Sequence, residues 1–400
     1  MENLVRPAVA LVVAVPVVGL LVWWRLGRML PPLSRRLATA ANPYSPTGGS
    51  QKEQGLALRN LVSCATDIPD FSTLLSIAMG RLLAVRQTYK VPVDYSPLCD
   101  ALPWQHASAM LQPGDLALES GVCRFRDGSV LVASRVELPR CSGTMLKWWF
   151  TWCDTAAKVC VLAPSCWHRS CAECIARVQY RLWHPEDHVW CTWNQEYLEV
   201  FAAQRKPGHE RGSSHIVSEH LGQAFGYAAE DLHIDFVDPS DWGITEVACR
   251  DAGVRFVSCM AVHAYREPGL GHLRAGYVMH IARDSPSGHG IQLRSRFWLG
   301  KDVAVMGDPV FLPHTLAAAL VRQPLVVRLS LPFHRAAAVW RHATEEFSVL
   351  AGVLPLLFSQ VNTQLAQSEG AGNSAPSGAE WTPQDWLRLH AAEVASRCSP

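Results

Sequence analysis

The chain has 400 residues, 49% of them apolar and 18% charged, which excludes both a disordered chain and a multi-span membrane protein. Its 36 basic and 35 acidic residues leave a formal charge of +1, and no long basic run marks a nucleic-acid footprint. The 13 cysteines are odd in number and lack the compact even spacing of a stapled secreted domain, so reduced thiols are expected.

Residues 8–24 form an apolar run touched only by Pro16 and Gly19. Such a run is at the short limit of the ~17–25 residues that span a bilayer. Trp23 and Trp24 close it, Arg6 precedes it, and Arg25, Arg28, Arg35 and Arg36 follow it. By the positive-inside rule this reads as a hydrophobic membrane anchor over residues 1–30, single-pass, with the bulk of the chain cytosolic. The alternative is a signal peptide cleaved on secretion, for which residues 38–41 make a poor cleavage site.

Residues 31–55 read as a linker, with the Pro/Gly/Ser stretch NPYSPTGGS at 42–50. A helical extension is expected over residues 56–110, with helical apolar spacing at 71–85 and an extended stretch at 91–97. Short apolar runs and turn signals then alternate. Residues 121–125 and 129–136 flank an Arg126-Asp127-Gly128 turn, which reads as a hairpin. Further strands are expected at 233–237, 254–263, 276–283 and 292–299, and a long helix at 336–350. Residues 368–400 read as a low-complexity linker and a terminal helix with Thr382 at its N-cap and Pro383 at N1. A curved antiparallel sheet packed on a long C-terminal helix, an α+β fold, is the arrangement these elements most easily make.

The late helix carries the most informative local pattern. Val339, His342, Glu346, Val349 and Val353 share one face, so a histidine and a glutamate at i and i+4 interrupt an apolar stripe. Burying an unpaired carboxylate costs several kcal/mol, so Glu346 requires a cationic partner or a proton. The pair is either a His–Glu hydrogen bond at a helix surface or half of a metal site. A second dense patch is YRLWHPEDH at 180–188, where Pro185 between His184 and His188 implies a tight turn. A third is HIVSE at 215–219, whose alternation points His215 and Glu219 to one face of a strand.

The runs MLKWWFTW (145–152), YRLWHPEDH (180–188), HIVSE (215–219), RSRFWLG (294–300) and HATEE (342–346) resemble the 2,4-diacetylphloroglucinol hydrolase / phloretin hydrolase family, in the same order. The resemblance covers roughly residues 110–358. It implies a Bet v 1-like helix-grip catalytic domain, here residues 111–360 with an insertion at about 153–179, and a zinc-dependent hydrolase of carbon–carbon bonds. The implied Zn2+ ligands are His188, Glu219, His342 and Glu346. Tyr180 matches a tyrosine used near the substrate hydroxyls, and His184 and Glu186 are candidates for orientation or proton transfer.

The implied substrate is a small aryl ketone or polyphenol, cleaved between acyl group and phenolic ring, and homodimers occur in the family. Two departures bear on the substrate: Cys153 stands where a histidine often follows the Trp-rich run, and Cys191 where the family has an asparagine. In the insertion lie Cys160, Cys166, Cys171 and Cys174 with His168; the Cys171-x2-Cys174 pair raises a second zinc site, but the other spacings fit no standard finger, and a loop of reduced cysteines is expected. The rival readings are a membrane-tethered non-catalytic carrier of aromatic or lipid ligands, and a zinc-dependent ester hydrolase. The missing G-x-S-x-G elbow removes support for a serine-based one.

Overall fold

The computed structural model describes residues 71–88, 95–96, 102–153, 179–193, 214–221, 230–264, 272–306, 319 and 322–369. In chain order, α1 (Phe71–Thr88) is followed by β1 (Tyr95–Ser96), a 3-10 helix at Trp104–Leu111, and β2 (Gly121–Arg124). Then come β3 (Val130–Leu138), α2 (Gly143–Trp152), β4 (His188–Trp193), β5 (Ser214–Glu219) and β6 (Glu230–Val237). The chain continues through α3 (Glu246–Asp251), β7 (Val254–Ala264), β8 (His272–Asp284), β9 (Ile291–Met306), α4 (Pro324–Ser330) and α5 (Phe333–Glu369).

The nine strands of the described residues form one sheet in the order β1-β2-β3-β9-β8-β7-β6-β5-β4. The long pairs β6 to β9 follow the apolar runs of the sequence, and the β2–β3 hairpin turns at Gly128, whose φ of 87° favours glycine. One face of the sheet lies against α5. There Ser134 and Ser295 are cross-strand neighbours, His280 stands beside Ser295, and Ser134 Oγ meets Thr344 Oγ1 of α5 at 2.9 Å. Leu293, Phe347, Leu350 and Leu354 fill the interface. The other face is covered by the 3-10 segment, whose Met110 is buried in one cluster with Cys259, Met279 and Trp298 of the sheet. Arg294 and Arg296 donate to the carbonyls of Gly114 and Leu118 and pin that cover to the sheet.

α1 buries Phe71, Leu74, Ala78 and Leu82, spaced in steps of three and four, and this stripe docks on α5. α5 runs 37 residues, well beyond the expected 336–350, and continues through Pro355, which withdraws an amide from the carbonyl of Ala351. The Trp-rich run 145–152 is helical and starts at the Ser142 N-cap, whose hydroxyl accepts from the Met145 amide at 3.2 Å.

The expected fold class, an antiparallel helix-grip sheet with a membrane anchor, is corrected on two counts. β1 pairs with β2 in parallel, so the sheet is antiparallel across eight strands and mixed at its edge. No helix among the described residues is long and apolar enough to cross a membrane. The two longest carry charge in their span: α1 has Arg81 and Arg86, and α5 has Arg341, Glu345 and Glu346. Residues 1–30, where the anchor was expected, lie outside the described residues, as do the Cys-rich stretch 154–178 and residues 370–400. The single-pass membrane localisation and the membrane as partner therefore lose their basis. The homodimer has no support among the described residues. Cys141, Cys153, Cys191, Cys249 and Cys259 are not in disulfides, but Cys123 is disulfide-bonded, against the expectation of reduced cysteines throughout.

Candidate metal centre

Three elements bring four candidate donor residues together. His188 opens β4, and the β4–β5 register sets Glu219 directly across from it. α5 crosses the same face and presents His342 and Glu346 one turn apart. His188 Nε2 lies 3.8 Å from Glu219 Oε1 and 3.5 Å from Glu346 Oε2. His342 Nε2 lies 3.5 Å from Glu219 Oε2 and 3.7 Å from Glu346 Oε2. Ligands held tetrahedrally at ~2.0–2.2 Å from a metal stand about 3.3–3.6 Å apart; His188, Glu219 and His342 lie close enough to one another to share an ion, and Glu346 Oε2 stands beside both histidines. All four residues are buried.

The surroundings fit a cation. His188 Nδ1–H donates to the Tyr180 carbonyl at 3.0 Å, leaving Nε2 buried and without a hydrogen-bond partner. His342 Nδ1 is held by Asp187 Oδ2 at 3.0 Å, the carboxylate–histidine arrangement that orients a metal ligand. The Tyr180 hydroxyl donates to Glu219 Oε1, and its ring stacks on His188 at 4.0 Å.

The DAPG hydrolase PhiG domain model matches residues 102–359, well over half of the chain. The chain belongs to the DAPG hydrolase family. Among curated proteins, the phloretin hydrolase of Eubacterium ramulus is similar, 22% identical over 237 residues that cover 58% of this chain and 69% of that protein. This family member is therefore an enzyme, a hydrolase acting on carbon–carbon bonds in ketonic substances. Its buried His/Glu cluster could hold a metal ion.

The electrostatics of the site are those of a place built for positive charge. Burial drives the His188 ring well below its ordinary pKa, so it is a neutral imidazole at pH 7. Burial would also lower His342, but the Asp187 hydrogen bond and the carboxylates of Glu346 and Glu219 push it up to about 10. Burial pushes Glu346 up to about 8. His342 and Glu346 thus hold protons near pH 7, and a cation bound there would have to displace them. Tyr180 is raised well above the phenol range, by burial first and by Glu219 next, and keeps its proton.

Of the other expected site residues, His184 and Glu186 do not reach the four donors. His184 is buried behind them; its Nδ1 accepts from the Asp187 amide at 3.0 Å and its Nε2 donates to Glu345 at 3.2 Å. Glu186 turns outward onto Arg86 at 2.6 Å. His184, Asp187 and His342 also lie close enough to share an ion. With Nδ1 occupied as an acceptor, however, His184 Nε2 carries the proton, and ligation there would demand an imidazolate. That trio is a hydrogen-bonded support. His215 shares the face of Glu219 and packs on Phe236 at 4.9 Å. Asp187, Glu345 and Arg86 were not anticipated. Asp187 stood in the 180–188 run, but only the turn decides which of two adjacent carboxylates faces inward.

Proposed function

We propose that this enzyme is a zinc hydrolase that cleaves the bond between an acyl group and a phenolic ring, with His188, Glu219, His342 and Glu346 as the metal ligands and residues 111–360 as the catalytic domain. The observation that carries the reading is that His188 Nε2, which has no hydrogen-bond partner, and His342 Nε2 each lie 3.5–3.8 Å from the carboxylates of both Glu219 and Glu346. Two neutral imidazoles and two carboxylates match the charge of Zn2+. A zinc ion held there supplies Lewis-acid polarisation of a carbonyl and an acidified water.

The chain's own groups do the rest. Asp187 keeps the His342 ring turned so that Nε2 faces the donors. Tyr180, protonated and buried, is a hydrogen-bond donor now spent on Glu219, and with Glu219 serving as a metal ligand it would be placed to donate to a phenolic oxygen of the substrate. Such a bond favours the ring's keto tautomer, so the ring departs with a proton at carbon rather than as a free carbanion. In balance, the water oxygen joins the acyl carbon, a proton joins the ring carbon, and the products are a carboxylic acid and the shortened phenol. His184 orients the turn that bears Asp187, and Glu186 anchors Arg86.

The test is metal analysis of the purified chain combined with incubation on a panel of acylated phenols and phenyl esters, with products read by mass spectrometry. The expected result is one zinc per chain and cleavage of aryl ketones, both lost in His342→Ala and Glu346→Ala. Wild-type cleavage by either variant would refute the ligand assignment, and cleavage of esters alone would replace the ketone reading.

A further inference from the structure

The network behind the candidate ligands extends past the segment that the family model spans. That segment begins at residue 102, whereas α1 ends at Thr88. Nevertheless Arg86 of α1 grips Glu345 with two bonds, Nε to Oε1 and Nη2 to Oε2, each 3.0 Å, and reaches Glu186 Oε2 with Nη1 at 2.6 Å.

We propose that Arg86 is a positioning residue of the metal centre, acting through Glu345 and His184 on the turn that carries Asp187 and His188, so that α1 forms part of the site. The inference rests on the reading that His188, Glu219, His342 and Glu346 hold a metal.

The chain of contacts is continuous. Glu345 is 3% exposed and accepts from Arg86, from Arg341 Nε at 2.6 Å and from His184 Nε2 at 3.2 Å. His184 is fully buried, and its other nitrogen accepts the Asp187 amide. The His188 amide closes the turn on the His184 carbonyl at 3.1 Å. The Asp187 side chain holds His342. Both ligand histidines therefore depend on a turn braced by one buried ring, and that ring's orientation depends on a carboxylate acceptor at Glu345. Of the two guanidiniums that stabilise this buried carboxylate, only Arg86 presents a fork to both of its oxygens. Removing it leaves Glu345 to Arg341, which is 38% exposed and bonds one oxygen.

The docking of α1 is itself specified. A Cβ at Gly352 would stand 2.8 Å from Arg81 Cγ, so the glycine admits the Arg81 stem against α5. Five residues further along α1, Arg86 meets Glu345, two turns back along α5, as an antiparallel crossing requires. Arg86 is delivered by helix packing and is more than a long side chain that happens to reach.

The experiment measures zinc dissociation constants of the full chain by chelator competition for wild type, Arg86→Met, Glu345→Gln and the double variant. Arg86→Met is expected to bind zinc about tenfold more weakly, the lower end of what loss of an outer-shell partner costs. In the Glu345→Gln background the same change should cost less than about threefold, because the group it acts through has changed. Binding by Arg86→Met within about twofold of wild type would overturn the proposal. So would an equal loss in both backgrounds, which is what loosened docking of α1 would produce. If Glu345→Gln does not fold, Arg86→Lys takes its place: zinc binding nearer to wild type than to Arg86→Met supports the proposal, and binding equal to Arg86→Met refutes it. A wild-type chain that takes up no zinc would bring down the metal reading, and this one with it.

Discussion

Glu346→Gln separates what the site costs the fold from what it gives the chemistry. Glu346 is 6% exposed, and burial raises its pKa to about 8 from an ordinary value near 4.5. In the metal-free chain the folded state therefore holds a proton that the unfolded state has released, and stability falls as pH rises from 4.5 to 8. At 1.36 kcal/mol per unit, the cost is about 2 kcal/mol at pH 6 and about 4 kcal/mol at pH 8, as orders of magnitude. Glutamine keeps the shape and removes the titration. Metal-free Glu346→Gln should thus be more stable than metal-free wild type, with a gap that widens by about 2 kcal/mol between those two pH values. With zinc present the order should reverse, since the variant has lost a ligand. Urea unfolding with and without chelator at pH 6 and pH 8 reads all four states. A stability gap that does not grow with pH would refute the electrostatic reasoning, and wild-type zinc affinity would refute the ligand role.

Three further outcomes follow from the same geometry. Tyr180→Phe removes the donor to Glu219 and should lower kcat/KM about tenfold, worth one hydrogen bond of ~1.4 kcal/mol, while zinc content stays stoichiometric; steady-state kinetics beside metal analysis checks both halves. His280, buried against Phe347 and held down to about 3 by burial, is neutral in the fold but takes a proton when unfolded below about pH 6.5. Its contribution is lost as pH falls from 6.5 toward 3, so His280→Gln should show a shallower acid decline in urea midpoint than wild type, and parallel curves would dismiss it. Phe347→Ala opens a cavity under Trp183 and His280 and should cost about 3–5 kcal/mol. Differential scanning calorimetry should show its melting temperature lowered by roughly 6–20 °C.

Much of the sheet was legible because its inward residues alternate over long, Gly-bounded runs, and β6 to β9 each contain the expected stretch. The late helix was legible through Val339, His342, Glu346, Val349 and Val353, which are all buried. Periodicity marks which residues share a face. It carries no information about which distant strand that face will meet, so the pairing of His188 with Glu219 and the nearness of both to α5 came to hand through the family resemblance. Arg86 left no local trace: an arginine in the last turn of a helix looks solvated until the partner helix is placed. The parallel β1 contact was equally silent, since two residues define no alternation. The apolar run at 8–24 misled as a statement of fold, because hydropathy alone attaches no position to a segment.

The register shift in β4 between His188 and Trp190 sets an odd residue between two inward positions. His188 pairs with Glu219 and Cys191 with Val217, so two residues three apart in the chain look the same way. The Cys191 thiol lies near enough to Tyr180 to contribute to the rise in its pKa. One short strand therefore carries a candidate metal ligand at its first residue and, at its fourth, a buried thiol that faces the same way.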